Sequence, residues 1–396
     1  MIRRSECLEC TCDGPEMKFS LFYEIPVAKP WDPLSEHRAF KEVIEQAVLA
    51  DQVGFHAMWT VEHHFLEEFS HCSNPEVLYG AVAARTKDLR IGYGVRLAPH
   101  PYNHPVRSAE SAAVLDLISD GRVYFGTGRS ATRTEMEGFG IDPQDTRDMW
   151  LEAVRHIVGC WTNDVHEFDG KYWHMPKRRV VPKPLQQPHP PMFGATGSID
   201  GHEMMGELGL GLCSFSIGTS MEHLSERVQR YRTGFKRCTD PVAAFKNEHV
   251  VAFTMVNCAE NAQDSYTVAR EAYEWYARAS ADSISELSDW VEERSGALGT
   301  FNYTEKIRSA TRTGSKEVSL NFDAMMAKNS VIAGDPDEII RRAKEYEEAG
   351  VDQLLCLMNP HNIPHEKILK TIELMGKYVL PEFEEKDEVP VAAATV

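Results

Sequence analysis

No run of about eighteen apolar residues occurs in the 396-residue chain, so no segment reads as a helix that crosses a membrane. Positive charge is scarce: 42 Lys and Arg stand against 60 Asp and Glu, a net charge of −18. With no clustered basic tract either, a surface built to track nucleic-acid phosphates is excluded as the main business of the chain. The amino terminus, MIRRSECLECTCDG, lacks the apolar centre of a secretory signal, which makes the cytoplasm the expected compartment. Cysteine is sparse, nine in all. Cys72, Cys160, Cys213, Cys238, Cys258 and Cys356 stand singly, as reduced thiols do. Cys7, Cys10 and Cys12 form C-x-x-C-x-C, yet a zinc site needs a fourth ligand and an ordered frame, so residues 1–16 are expected to be a disordered leader. Met17, just before the first strand-like run, is an alternative start. HExxH and HxH patterns are absent as well, and no metal site is expected.

What remains is a globular composition, 42% hydrophobic and 26% charged, in a chain long enough for two or three ordinary domains or one large barrel with insertions. From Lys18 onward one unit repeats: a short β-rich run, a turn, then an amphipathic helix. Strands are expected at Lys18–Glu24, Ala57–Val61, Leu89–Leu97, Arg122–Gly126, Pro191–Ala195, Gly211–Phe215, His249–Val256 and Gln353–Met358. Helices are expected at Glu36–Val53, Pro75–Arg85, Pro105–Leu117, Thr146–Trp161, Ile199–Leu208, Met221–Phe235, Ala262–Ala279, Pro336–Glu348 and Ile363–Tyr378. Eight alternating strands favour a closed (β/α)8 TIM barrel over residues 17–380. The surplus falls into two insertions. Residues 163–190 read as a hairpin and linker, and residues 280–333 as a lid over the barrel mouth. Residues 381–396 read as a flexible tail.

Three segments carry candidate chemistry. Trp59–Phe65 (WTVEHHF) ends the second strand, where barrel enzymes place their reacting groups. Adjacent histidines point to opposite faces and cannot readily share one ion. On residue chemistry alone, a hydrogen-bonded packing histidine outweighs a base. Gly126–Ala131 (GTGRSA) fits the dinucleotide fingerprint on paper, but the residues that follow cannot begin its long packed helix. Its glycines are better explained by close approach to a ligand, with Arg129 at the strand end. Gly194–Ser198 (GATGS) precedes a helix and forms an anion cradle that Arg107 and Arg129 could join. A glycine-rich turn and salt-bridged surface arginines are the plainer alternatives.

Together KFSLFYE, WTVEHHF, LRIGYGVRLAP, HPVRSAE, LDLISDGRVYFGTGRS, PMFGATGS and GDPDEIIRR follow the order found in bacterial luciferase-like, flavin-dependent monooxygenases, which the chain resembles from about Lys18 to Leu380. The resemblance implies a (β/α)8 barrel that pairs as a homodimer and binds reduced FMN (FMNH2) supplied by a separate NAD(P)H:flavin reductase. O2 then adds to the flavin, and the C4a-peroxyflavin oxygenates a small-molecule substrate. It implies His63 as the catalytic histidine, a base with a pKa near neutrality, and places Arg107, Arg129 and a hydroxyl of Thr196 or Ser198, flanking Gly197, at the phosphate. Gly94–Val95 falls where the family has a non-prolyl cis peptide beneath the flavin ring. Tyr23, Trp59, Phe65 and Phe215 at strand ends are candidate pocket walls or core residues, and His100 and His104 sit where extra residues remodel the substrate mouth. Other readings of the same residues are an F420-dependent oxidoreductase of this fold, a metal-dependent barrel hydrolase, and a flavin-storing subunit without turnover.

Overall fold

The computed structural model describes residues 17–313 and 319–384. The cysteine-bearing leader and the chain beyond residue 384 lie outside the described residues. Twelve strands are present among them: β1 (Lys18–Tyr23), β2 (Ala57–Thr60), β3 (Arg90–Tyr93), β4 (Arg96–Leu97), β5 (Val123–Gly128), β6 (His166–Asp169), β7 (His174–Arg178), β8 (Met192–Thr196), β9 (Gly211–Phe215), β10 (Val250–Cys258), β11 (Ile332–Gly334) and β12 (Gln353–Leu357). Eight of them close a parallel ring in the order β1-β2-β3-β5-β8-β9-β10-β12, with β12 paired back to β1. The first eight helices are α1 (Ser35–Val53), α2 (Pro75–Ala83), α3 (Pro105–Ile118), α4 (Arg133–Gly138), α5 (Thr146–Thr162), α6 (Ile199–Glu207), α7 (Met221–Arg237) and α8 (Ala262–Ser295). No helix among the described residues is long and apolar enough to cross a membrane. The eightfold barrel expected from the strand–helix alternation is what forms, and its strands are buried on both faces because helices cover the outside.

Several boundaries differ from expectation for physical reasons. The third strand is interrupted at a cis peptide between Gly94 and Val95, which splits it into β3 and β4. The hairpin within 163–190 forms as β6 paired antiparallel to β7. The helix expected to stop at Ala279 runs on as α8 to Ser295, where Gly296 caps it in the left-handed conformation. Its second half buries Leu287, Trp290 and Val291 against Met136, Ile141 and Phe301, a small core separate from the barrel's. The carboxy-terminal tail is packed further than expected: Leu380–Glu382 forms a tight turn, and Phe383 meets Phe19 edge-on at 4.9 Å.

The barrel interior is filled by pairing large residues with none. Phe22, Trp59, Gly92 and Tyr124 stand level on β1, β2, β3 and β5. The Trp59 ring occupies the space over Gly92, where a Cβ would lie 2.1 Å from it, and contacts Tyr124 and Phe193 at 5.7 and 5.3 Å. On β5, a Cβ at Gly126 would lie 2.1 Å from the Tyr93 carbonyl oxygen, and one at Gly128 would lie 2.4 Å from Val95 Cγ2. These glycines admit the neighbouring strand; the close ligand approach expected of them is not the reason for their small size. Gly126→Ala should therefore lower stability by about 1–3 kcal/mol through overpacking against backbone. Gly80→Ala, in a helix with open space around it, should raise stability by about 0.4–1 kcal/mol. Urea unfolding midpoints measure both, and equal shifts in the two variants would contradict the packing argument.

Candidate functional site

At the carboxyl ends of the strands, a histidine is held between two buried carboxylates. The chain leaves β1 at Glu24, leaves β2 toward His63, and leaves β5 toward α4, which carries Glu135. His63 Nδ1 lies 2.9 Å from Glu135 Oε1, and His63 Nε2 lies 3.5 Å from Glu24 Oε2. Glu135 also accepts the His64 backbone N–H at 3.0 Å, the Ser130 hydroxyl at 2.8 Å and the Thr132 hydroxyl at 2.6 Å. Thr132 caps α4 by accepting from the Glu135 N–H, so the short helix and its carboxylate are fixed by the same residue. Glu24 accepts the Tyr276 hydroxyl of α8 at 2.8 Å through Oε1, while Oε2 is buried without a hydrogen-bond donor among the described residues.

Charge decides the state of this group. Burial opposes protonation of His63, but the carboxylates of Glu135, Glu24 and Glu62 outweigh it and hold its pKa up at about 9. The base near neutrality expected from the sequence is thus a cation at neutral pH. The two flanking acids diverge. Burial pushes Glu24 up, with Glu135 adding to the rise and His63 and Tyr276 only partly offsetting it. Burial acts on Glu135 in the same direction, yet the His63 charge and the hydroxyls of Thr132 and Ser130 hold it below the usual carboxylate range. His64 turns away, toward Glu62 at 3.4 Å and the rings of Phe139 and Tyr102, so the two histidines share no ligand position.

A second set of residues suits an anion. Arg129 follows β5 and reaches the 299–304 turn: its Nη1 donates to Thr300 Oγ1 at 2.7 Å and to Thr146 Oγ1 at 3.4 Å, its Nη2 donates to the Thr300 carbonyl at 3.3 Å, and its guanidinium lies 4.6 Å from the Phe301 ring centre. No carboxylate among the described residues pairs with it. Burial pushes its pKa down, the mark of a cation short of compensation. Tyr303 of the same turn is 3.9 Å from where a Gly197 Cβ would stand. Ser198 caps α6 by accepting the Gly201 N–H at 3.0 Å, and Thr196 Oγ1 accepts the Ser198 N–H at 3.3 Å. A Cβ at Gly201 would sit 2.0 Å from Thr196 Oγ1, so the glycine lets both hydroxyls gather at the helix start.

The other expected site residues divide. Phe215 is half-buried and meets Phe253 at 5.3 Å, and Phe253 in turn meets Phe22 at 4.7 Å. Gly94 and Val95 carry the cis peptide expected there. Arg107, in contrast, is 74% exposed and paired with Glu110 at 3.1 Å on α3, so it does not join Arg129. Tyr23 is buried on the strand face opposite Phe22 and Glu24, because successive residues alternate. Trp59 is wholly buried and belongs to the barrel core. Phe65 is exposed and packs on Phe139 rather than on the barrel interior. His100 is exposed beside Trp173, and His104 is used as the cap of α3, accepting the Val106 N–H. Glu24, Glu135 and Tyr276 were not anticipated. An acid ending an apolar strand and the T-x-x-E capping signature of Thr132–Glu135 were available signals for two of them; nothing local marks Tyr276.

Residues 17–353 match the family model described as luciferase-like monooxygenase. The chain is 28% identical over 371 residues to the oxygenase component of the flavin-dependent trigonelline monooxygenase of Acinetobacter baylyi, covering 93% of this chain and 96% of that one. The oxygenating constituent of 3,6-diketocamphane monooxygenase from Pseudomonas putida, solved with FMN, is similar at a TM-score of 0.71 and 19% identity, covering 94% of this chain and 100% of that one. An F420-dependent secondary alcohol dehydrogenase, solved with an F420–acetone adduct, is similar at a TM-score of 0.68 and 18% identity, covering 93% and 100%. At these identities the structural likeness is one of fold, and it spans both cofactor types.

The His63 pair has a measurable signature. An unfolded histidine titrates near about 6.5, and His63 in the fold near about 9. Its contribution to stability is therefore full below about pH 6.5 and is lost as pH rises through about 9. Tm should fall more steeply between about pH 7 and 9 in the wild type than in His63→Gln. Parallel slopes would mean that His63 is not held as a cation.

Proposed function

Because the chain belongs to the luciferase-like monooxygenase family, we propose that it is the oxygenase of a two-component system, taking reduced FMN from a separate NAD(P)H:flavin reductase and using O2 to oxygenate a small organic substrate. The observation that carries this reading is Arg129, a largely buried cation with no carboxylate partner among the described residues, in a chain of net charge −18. A terminal phosphate supplies the charge that such a position lacks. Arg129, Thr196, Gly197 and Ser198 would hold that phosphate, and the Gly94–Val95 wall would carry the flavin ring. Bound reduced flavin supplies the electrons that activate dioxygen.

The chain's own residues supply the rest. His63 holds a proton at Nε2 while Glu135 fixes the ring through Nδ1. Glu24, whose Oε2 faces that Nε2, is the group that can take up or return the proton, and Tyr276 orients it. Two carboxyl groups driven apart in pKa around one imidazole suit an acid role for His63 and an exchanging role for Glu24. The aromatic wall of Phe22, Phe253 and Phe215 offers an apolar surface to the substrate. The core joining α4, α8 and the 299–304 turn keeps water from this end of the barrel. A homodimer through α2 and α3 is supported by Val77, Val114, Leu117 and Ile118, apolar side chains exposed on those helices.

Anaerobic titration with FMNH2 and with reduced F420, followed by admission of O2, tests the proposal. FMNH2 should bind, its reoxidation should slow, and oxygen uptake should depend on substrate. Arg129→Met should weaken FMNH2 binding about 10- to 100-fold, as loss of a charged hydrogen-bond donor does, while Arg107→Met should change it little. Binding of F420 without FMNH2, or an Arg129→Met variant of unchanged affinity, would overturn the assignment.

A further inference from the structure

Away from the strand ends, α5 and the hairpin after it bring three metal-ligating side chains to one buried point. His156 and Cys160 lie one turn apart on α5, and His166 opens β6. His156 Nδ1 is 3.0 Å from His166 Nε2 and 3.6 Å from Cys160 Sγ, and all three ligand atoms lie within 4.8 Å of one another. A tetrahedral zinc-type ion holds nitrogen at about 2.0–2.1 Å and thiolate sulfur at about 2.3 Å, which sets ligand-to-ligand separations in this range. His166 Nε2 and Cys160 Sγ both converge on one His156 nitrogen, more than a simple hydrogen-bonded clip between helix and hairpin requires.

The surroundings are shaped to deliver these groups. Gly159 stands mid-helix, where glycine costs about 1 kcal/mol relative to alanine. A Cβ there would lie 2.3 Å from His166 Cε1, so the missing side chain is what admits the ring. Phe168 stacks on the His156 ring at 4.4 Å, and Asn163 meets the outer nitrogen of His166 at 3.3 Å, a position from which it can fix the ring. The Lys183 ammonium donates to the Cys160 and Asn163 carbonyls at 2.5 and 2.8 Å.

We propose that His156, Cys160 and His166 form a structural site for a zinc-class divalent ion that fastens the β6–β7 hairpin to α5, with the fourth position left to a solvent ligand. On binding, the Cys160 S–H bond breaks, the sulfur lone pair enters the coordination shell, one proton leaves to solvent, and no electron is transferred.

Cobalt(II) is the probe, because a bound thiolate gives it a charge-transfer band in the near ultraviolet. The full chain is used without a histidine tag and with Cys7, Cys10 and Cys12 changed to serine, which removes the leader's own thiols. One cobalt per chain with that band is expected, together with release of one proton. Cys160→Ser should abolish the band and weaken uptake about tenfold or more, and Gly159→Ala should weaken uptake by displacing His166, with circular dichroism reporting that both variants fold. Absence of uptake in the triple-serine chain, or uptake unchanged in both folded variants, would overturn the proposal.

Discussion

A carboxylate with no exposure to water survives only where donors replace its hydration, and Glu135 is such a group. Its four donors come from two loops that are distant in sequence. His63 and the His64 amide follow β2, while Ser130 and Thr132 follow β5. Satisfying one anion therefore fixes the relative position of two strand ends, the rotamer of His63 and the start of α4. The charge of His63 is a consequence of the same requirement, since the nearby carboxylates make the protonated ring the lower-energy state. Glu24 completes the pattern from β1, and Tyr276 ties it to α8. Three barrel strands and one outer helix thus converge on one imidazole.

Packing determines which end of the barrel stays available for chemistry. Trp59, Tyr124 and Phe193 fill the interior at the level where Gly92 contributes no side chain. Phe22, level with Trp59 on β1, continues the aromatic packing through Phe253 to Phe215, and two residues beyond Phe22 the charged groups begin at Glu24. On the far side of those groups lies the second core, where Met136 of α4 meets Leu287, Trp290 and Val291 of α8 and Phe301 of the turn. Glu135 is the immediate neighbour of Met136 in α4, so the polar clamp and the apolar cover are built on adjoining faces of one short helix. Loss of either would loosen the other.

The fold was legible because its signal is periodic: eight apolar runs separated by amphipathic helices leave few alternatives to a closed parallel ring. The continuation of α8 was not, because Ala281, Ser285 and Ser288 are small or polar and read as buried only against the partners that the turn and α4 supply. His63 could be found from its place at a strand end, but its charge could not, since Glu24 follows β1 and Glu135 sits on α4, both distant from it in sequence. Arg107 shows the converse limit. Its motif is recognisable, yet the direction of a side chain on α3 depends on Glu110 and solvent rather than on the motif. Tyr23 and Glu24 differ by one residue, and alternation in a strand makes that the difference between the outer face and the reacting end.

Net charge and site charge have to be separated to understand Arg129. At physiological salt the field of exposed charges decays over about 8 Å, so an excess of 18 negative charges does not prevent anion binding at a buried cation with Arg147 nearby. Arg96 is spent on Glu62 and Glu76 and Arg232 on Asp352 and Glu248, while Arg122 and Arg227 donate to carbonyls and threonine hydroxyls that tie the fold together. Arg129 faces hydroxyls, one carbonyl and a ring. A guanidinium carries five N–H donors, and three contacts leave some of them available to an oxyanion without breaking the hold on Thr300. The 299–304 turn and a bound anion can therefore be held by the same side chain at once. In that arrangement an anion would restore the charge balance that burial of Arg129 disturbs, and the turn that buries it would gain stability from the anion's presence.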